Sequence, residues 1–379
     1  MRESKPMYQF IVDDIKEKIT AGLLKDGDAI PTQIELAKEY DTSEITSRRA
    51  LTELVNDGVV VRIRGKGTFI QLRNDSSFGK EAATASQPAL ERIVLIHPNA
   101  ASPHLFNHPF YSNLINGIHT TCEESGIAFQ LMDASEGQTI EAKPEVGAIV
   151  LPGAPGAESI SIDQLRSWKE AGLRMVLAHF FFPQLNIPYV IVDNLTGGYL
   201  ATEHLISLGH RRIGIIVTGN SLIDINQEFS LRLQGYKLAL TQHGIPFDES
   251  LVSVMAGNEE LEEMGYEGAK QLLALPDQPT AIFATSDYKA FGAIRAGKEL
   301  ALAIPGQLSI VGYDNVVQSR YTSPALTTVN QNTERMGRRA VELLLRPWSE
   351  KEMQEHFVKE EIVPKLLVRN STTTVGITE

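Results

Sequence analysis

The stretch Ile30–Ile70, IPTQIELAKEYDTSEITSRRALTELVNDGVVVRIRGKGTFI, passes from helical to strand periodicity within a single run, and that passage sets the fold of the chain's first part. Pro31 with Thr32 reads as a helix start, followed by Ile34, Leu36, Ala37 and Tyr40 at helical spacing. Asp41-Thr42-Ser43 makes a turn, and Ser43 is placed to cap a further helix along which Thr46, Ala50, Leu51, Leu54 and Val55 recur. Asn56-Asp57-Gly58 ends that helix. Val59-Val60-Val61 and Thr68-Phe69-Ile70 are β runs around the glycine hairpin Arg64-Gly65-Lys66-Gly67. Upstream, Tyr8, Ile11, Val12, Ile15 and Ile19 form another helical series that stops at Gly22. Helices followed by a β hairpin predict a winged helix-turn-helix over residues 1–72.

In such a unit the helix after the turn enters the major groove and offers its first-turn side chains to base edges. Here those are Glu44, Ile45, Thr46, Arg48 and Arg49. The wing glycines let backbone and Lys66 approach phosphates closely. Lys5, Tyr8, Thr32, Ser43, Glu44, Thr46, Arg48, Arg49, Arg64, Gly65 and Lys66 are the candidate DNA contacts. The whole chain carries a net charge of −12, but residues 1–73 hold 12 Lys+Arg against 12 Asp+Glu, so the acidity lies in the remainder. Arg48, Arg49, Arg62, Arg64, Lys66 and Arg73 gather against only Glu53 and Asp57. An acidic body with a locally basic tip directs that tip toward phosphate.

The same run resembles the GntR-type winged helix over nearly its whole length. Pro31, Glu35, Leu36, Ser43, Thr46, Arg48 and Gly65-Lys66-Gly67-Thr68-Phe69 keep the family's pattern. Ile34 and Glu44 depart from it, standing where the family usually has arginines. An acid at Glu44 accepts from a cytosine amino group rather than from guanine or phosphate, so the family's operator sequence does not carry over.

Residues 73–91, RNDSSFGKEAATASQPALE, lack apolar periodicity and read as a linker. From Arg92 strand-like runs alternate with helical ones. The first series has strands at Ile93–Ile96, Ala128–Met132, Val146–Leu151, Met175–Ala178 and Val190–Val192. The second has them at Ile213–Val217, Leu251–Val254, Ala281–Ala284 and Ile310–Val311. Helices are expected near Phe110–Glu124, Ile162–Ala171, Leu195–Leu208, Gln227–His243, Glu260–Leu275 and Tyr288–Leu300. Two such series predict an α/β core of two lobes with parallel sheets over residues 92–379, taking a ligand at the carboxyl ends of the strands.

The 379 residues leave room for both modules. The single cysteine, Cys122, excludes an internal disulfide, and no run is long and apolar enough for a signal sequence or membrane span, which points to the cytoplasm. No phosphate-binding loop, dinucleotide fingerprint or nucleophile elbow is present, and the nine histidines lack metal spacing. The chain therefore reads as a non-enzyme with no catalytic residue, no metal and no cofactor. His210 after Gly209 reads as a helix-end residue.

Val192–Val217, Arg232–Tyr236, Pro279–Ala296, Leu308–Asn315 and Ser323–Gln331 resemble, in order, the regulatory core of the LacI/GalR family. A GntR-type reader on such a core resembles the arabinose-repressor group. That resemblance implies a homodimer on double-stranded operator DNA and a small-molecule effector in the cleft. By position it implies effector contacts at His108, Phe110, Tyr111, His179, Arg232, Ser286 and Asp314, with Phe180 to Phe182 as a stacking wall. Arg232 suits hydroxyl pairs or a carboxylate and Asp314 accepts from hydroxyls. Phe110 serves either core or cleft. Asp287 reads as a helix N-terminal residue and Tyr313 as a packing one, while Thr333 stands where some members place an aromatic. The expected function is a repressor of carbohydrate-utilisation genes released by a sugar, L-arabinose or another. The alternative is an activator or corepressor-dependent regulator sensing a purine-like or phosphorylated molecule.

Overall fold

The computed structural model describes residues 7–25, 27–56, 59–63, 67–70, 89–98, 108–134, 140–153, 159–257, 261–346 and 358–375. By their contacts the residues group into two compact units. One is Met1–Pro88 with Ser349–His356 and Glu361–Val363; the other is Ala89–Trp348 with Phe357–Glu360 and Pro364–Glu379.

In the first unit α1 (Met7–Thr20), α2 (Gln33–Glu39) and α3 (Glu44–Asn56) are joined by a small sheet of β1 (Ala29–Ile30), β2 (Val60–Ile63) and β3 (Gly67–Ile70). The sheet runs antiparallel in the order β1-β3-β2, pairing Ala29 with Phe69 and Val60 with Ile70. Strand β1 was not expected, because two residues are too few to show an alternation. At the start of α2, Thr32 and Glu35 bond each other's backbone N–H, a reciprocal cap that fixes the helix entry. Ile11, Val12 and Ile15 of α1 pack on Leu36, Ala50, Leu51 and Leu54, with Val60 and Ile70 closing the core. Ile45 is buried in the described structure and so is not presented to a base edge, which corrects the reading of the first turn.

The second unit contains two sheets, apart from Glu361 and Ile362 of one edge strand, which group with the first unit. The first has the order β15-β8-β7-β6-β4-β5, from β4 (Arg92–His97), β5 (Ala128–Asp133), β6 (Val146–Val150), β7 (Arg174–Ala178), β8 (Tyr189–Val192) and β15 (Lys359–Ile362). The second runs β10-β9-β12-β13-β14-β16 with β11 also on β9. Its strands are β9 (Ile213–Ser221), β10 (Asp224–Ile225), β11 (Val252–Met255), β12 (Ala281–Ala284), β13 (Ser309–Tyr313), β14 (Thr327–Asn330) and β16 (Lys365–Leu367). Central strands such as β6, β12 and β13 are buried throughout, as parallel strands covered on both faces must be. The two-lobed parallel-sheet core expected from the alternation is therefore observed. Strands β10, β14, β15 and β16 were not expected. β14 reads Thr-Thr-Val-Asn, whose polar residues hide a buried strand: Thr328 Oγ1 donates to Asp287 Oδ1 at 2.5 Å inside the lobe.

The helices are α4 (Pro109–Glu124), α5 (Ile162–Glu170), α6 (Asn194–Ser207), α7 (Gln227–Gln242), α8 (Glu262–Leu273), α9 (Asp287–Glu299) and α10 (Thr333–Leu345). Pairs of them cross backbone to backbone at facing glycines. A Cβ on Gly117 of α4 would lie 2.0 Å from Glu334 O, and one on Gly337 of α10 2.2 Å from Leu114 O. Gly198 of α6 faces Arg232 O at 2.1 Å, and Gly235 of α7 faces Leu195 O at 2.1 Å on the same measure. Helix α10, absent from the sequence expectation, is thus the partner of α4. The α6–α7 crossing seats Arg232 against the first turn of α6, and that places the site.

Candidate functional site

In the second lobe the carboxyl ends of β12, β13 and β14 stand side by side and carry Thr285-Ser286, Asp314 and Gln331. Arg232 reaches this edge from α7. Its Nε donates to Asn194 Oδ1 at 2.9 Å, one Nη donates to Thr285 O at 2.5 Å, and the guanidinium lies 3.8 Å from the Tyr313 ring centre. Phe229 flanks it at 5.0 Å. A buried cation is tolerated only with such partners. Tyr313 is fully buried, its hydroxyl donates to Asn194 Oδ1 at 3.2 Å, and burial pushes its phenol above the usual range. Asp314 sits at φ +114°, outside the usual range for a side-chain-bearing residue, and accepts a short hydrogen bond from Gln331 Nε2.

Asp287 lies beneath this edge, fully buried. Its Oδ2 accepts from Val316 N at 2.8 Å and its Oδ1 from Thr328. Burial, and then the Asp314 charge, hold its carboxyl well above the usual range. It ties the first turn of α9 to the loop carrying Asp314, consistent with its reading as a helix N-terminal residue.

In the first lobe the corresponding strand ends carry His97, Asp133 and His179. His108 caps α4, its Nδ1 accepting from Phe110 N at 3.3 Å. Tyr111 meets the rings of His97, His108 and Phe110 at 5.5, 5.6 and 5.1 Å. His179 adopts a left-handed φ of +72° and stands between Phe110 and Phe180, each 4.4 Å from its ring. Burial, with Arg232, His108 and His97 nearby, pulls its pKa down to about 3, so the ring is neutral. Its Nδ1 is enclosed and makes no hydrogen bond among the described residues.

The two lobes meet through His108 and Tyr288, whose rings are 5.6 Å apart, and through Gln227 and the backbone of Phe181. Of the effector residues expected from sequence, the structure brings His108, Phe110, Tyr111 and His179 into one aromatic and imidazole wall. It sets Arg232 and Asp314 at the facing strand edge, next to and behind Tyr313. Ser286 caps α9, its Oγ accepting from Lys289 N at 3.3 Å. Phe110 is buried, with its ring in the wall. Asn194, Tyr288, Lys289 and Gln331 were not singled out. Lys289 is fully buried with Nζ 4.2 Å from the Phe229 ring, inside a helix whose sequence reads as an ordinary surface pattern. Gln331 closes the Ser323–Gln331 motif, which was the signal available for it.

In the first unit, Thr32 and Ser43 are helix caps. Ser43 Oγ accepts from Thr46 N at 3.1 Å and pairs with Thr46 Oγ1 at 2.8 Å. Glu44 is exposed on the first turn of α3 and Arg48 half-buried. The Arg49 guanidinium lies 3.5 Å from the Tyr8 ring centre, binding α3 to α1. Lys5, Arg64, Gly65 and Lys66 lie outside the described residues. Among the described residues, no group of His, Cys, Asp and Glu could hold a metal ion, and no helix is long and apolar enough to cross a membrane.

Residues 7–70 match the model of bacterial regulatory proteins of the gntR family, and residues 202–372 that of the periplasmic binding protein-like domain. The chain is 34% identical to the HTH-type transcriptional repressor CytR of Escherichia coli over 62% of its own length and 68% of the relative's. The chain belongs to the LacI/GalR-type transcriptional repressors. Within this family it carries a gntR-type reader, so it is a DNA-binding regulator of transcription. It is also 30% identical to the repressor PurR of Haemophilus influenzae over 70% of this chain and 79% of that one. A 27% identity to the arabinose metabolism transcriptional repressor of Geobacillus stearothermophilus covers 98% of both chains. Among solved structures, a LacI family regulator from Enterococcus faecium with bound ribose superposes with a TM-score of 0.60 at 25% identity, covering 75% of this chain and all of that one.

Proposed function

We propose that this LacI/GalR-type member is a repressor released from operator DNA by a small polyhydroxylated effector, with L-arabinose the first sugar to test. Residues 1–72 form the reader, 73–91 the linker and 92–379 the sensing and dimerising core. The protein acts as a homodimer in the cytoplasm and catalyses no reaction. The observation that carries this reading is Arg232, stacked on Tyr313 beside Asp314 and facing a wall of His108, Phe110, Tyr111 and His179. Such a site combines aromatic faces with a few convergent polar groups. Likeness to an arabinose metabolism repressor along nearly the whole chain supports the choice of sugar.

The test is titration of the full-length protein with pentoses, hexoses, sugar phosphates and nucleobases, followed by operator gel shifts with and without each binder. A free sugar that binds and releases DNA supports the proposal. The Arg232→Lys variant then stays on DNA at sugar concentrations that release the parent. Release of that variant at the parent's concentration removes the cleft assignment. Binding by phosphates or purines alone, with DNA affinity raised, favours a corepressor-dependent regulator instead.

A further inference from the structure

Helix α3 buries two faces. Ala50, Leu51 and Leu54 lie in the reader's core. With the period of an α-helix, Ile45, Arg48 and Thr52 share the other side, away from those three. A helix that enters a major groove keeps such a side open for base edges and phosphates. Here it is covered: Ile45 is 6% exposed, Thr52 7% and the Arg48 side chain 23%.

On this side Arg48 meets a carboxylate. Its Nη2 donates to Glu361 Oε2 at 3.0 Å, and the Glu361 side chain is itself only 10% exposed. Glu361–Val363 groups with the reader although it is remote in sequence, whereas Glu360 groups with the core. Both glutamates lie in strand β15, where neighbouring side chains point to opposite faces. Glu360 accordingly accepts the Arg339 guanidinium of α10 in a two-pronged bond, from Nε at 2.7 Å and from Nη2 at 2.8 Å. One short strand thus holds an arginine of the core with one carboxylate and an arginine of the reader with the next.

A guanidinium pairs with a carboxylate by the same donors that it offers to a phosphate or a guanine edge. Glu361 and DNA are therefore rivals for Arg48. We propose that the Arg48–Glu361 pair is an autoinhibitory latch, in which β15 holds the groove-facing side of α3 with a phosphate mimic and operator binding requires the pair to open. The inference rests on the reading of α3 as the helix that enters DNA. Latched molecules are lost to DNA binding, so weakening the latch raises the apparent affinity.

The experiment is titration of the full-length protein and of its Glu361→Gln and Arg48→Ala variants, alone and combined. The probe is the duplex enriched from a random-sequence pool by the parent or by Glu361→Gln. The two partners are expected to act with opposite sign. Glu361→Gln binds about tenfold tighter than the parent, the worth of one hydrogen bond to a charged group, while Arg48→Ala binds more weakly. Added to Arg48→Ala, Glu361→Gln changes affinity by less than about twofold, because its only gain passes through Arg48. A gain that persists in that background comes from removing a negative charge in general and overturns the proposal. So does a Glu361→Gln variant that binds no tighter than the parent. Thiol labelling without DNA guards against a variant that folds poorly. A thiol introduced by Thr52→Cys is expected to react faster once Glu361→Gln is added, while the buried Cys122 reports any general unfolding. Equal labelling with and without Glu361→Gln also overturns the latch. If neither the parent nor Glu361→Gln enriches any duplex, the DNA reading of α3 itself falls and the proposal with it, a result distinct from equal affinities.

Discussion

The side-chain amide of Gln227 pairs in both directions with the backbone of Phe181, its Oε1 accepting from Phe181 N at 3.2 Å and its Nε2 donating to Phe181 O at 3.0 Å. Phe181 follows the last strand residues of β7 in the first lobe, and Gln227 is the first residue of α7 in the second. The same helix carries Arg232. The pair therefore joins the His179 segment of one lobe to the arginine helix of the other.

Removing this pair shifts the core toward a form with the lobes parted. Each such hydrogen bond contributes about 0.5–1.5 kcal/mol net, so losing both in Gln227→Ala lowers the ratio of joined to parted lobes by roughly 5- to 160-fold. Amide hydrogen exchange at Phe181 and its neighbours is expected to quicken in the variant, with effector affinity falling in proportion. Unchanged exchange at Phe181 would show that the lobes are held elsewhere.

The facing glycines give a stability prediction. A methyl group at Gly337 meets a backbone carbonyl oxygen of α4, which cannot rotate aside as a side chain does. Gly337→Ala is expected to cost about 1–3 kcal/mol or more through overpacking of α4 on α10. Urea denaturation reads this as a lower midpoint at an unchanged slope. The matching change at Gly126, where nothing lies near the added atom but φ is +67°, strains the backbone alone and is expected to cost less.

Most of the architecture was legible because its strands are apolar runs and its helices keep one period. What escaped has a physical cause in each instance. β1 and β10 are two residues long, and β14 buries threonines whose hydroxyls are satisfied by Asp287 and Thr372. Site geometry was less legible than site position. Arg232 and Asp314 sit in recognisable motifs, but their supporting groups, Asn194 and Gln331, act through hydrogen bonds between segments far apart in sequence. Arg49 and Ile45 fall on the helix expected to read DNA, yet Ile45 is buried and Arg49 stacks on Tyr8. No count of basic residues distinguishes those orientations.

His179 gives the core an acid limb. Its folded pKa of about 3 lies below the ordinary 6.5, so between these values the unfolded chain binds a proton that the folded one does not. Stability from this residue is full above pH 6.5 and falls as pH drops toward 3. The loss between pH 7 and pH 5 is about 2 kcal/mol at most. His179→Asn keeps a residue that tolerates positive φ and removes the titration. Its thermal midpoint is expected to fall less over that interval than the parent's. His204, held near 4 by burial, remains in both proteins and cancels in the difference. Parallel pH profiles would assign the acid limb to other groups.

Arg48 and Arg49 are neighbours in sequence but the structure gives them different work. The Arg49 guanidinium lies on Tyr8, a cation–π contact that adds about 0.5–2 kcal/mol between α1 and α3. Arg48 stands half-buried on the first turns of the helix expected to enter the major groove. Arg48→Ala is expected to weaken operator binding and, where the contact is to phosphate, to reduce the salt dependence of log K by about one. Its thermal midpoint falls too, because the part-buried Arg48–Glu361 ion pair of 3.0 Å is lost. Arg49→Ala is expected to lower the midpoint of the reader's unfolding as well, and Tyr8→Leu to reproduce that loss. Gel shifts across a salt series, read beside thermal melts of the same proteins, separate the two residues. Equal effects on melting and on DNA binding from both substitutions would mean that α3 presents the two arginines alike.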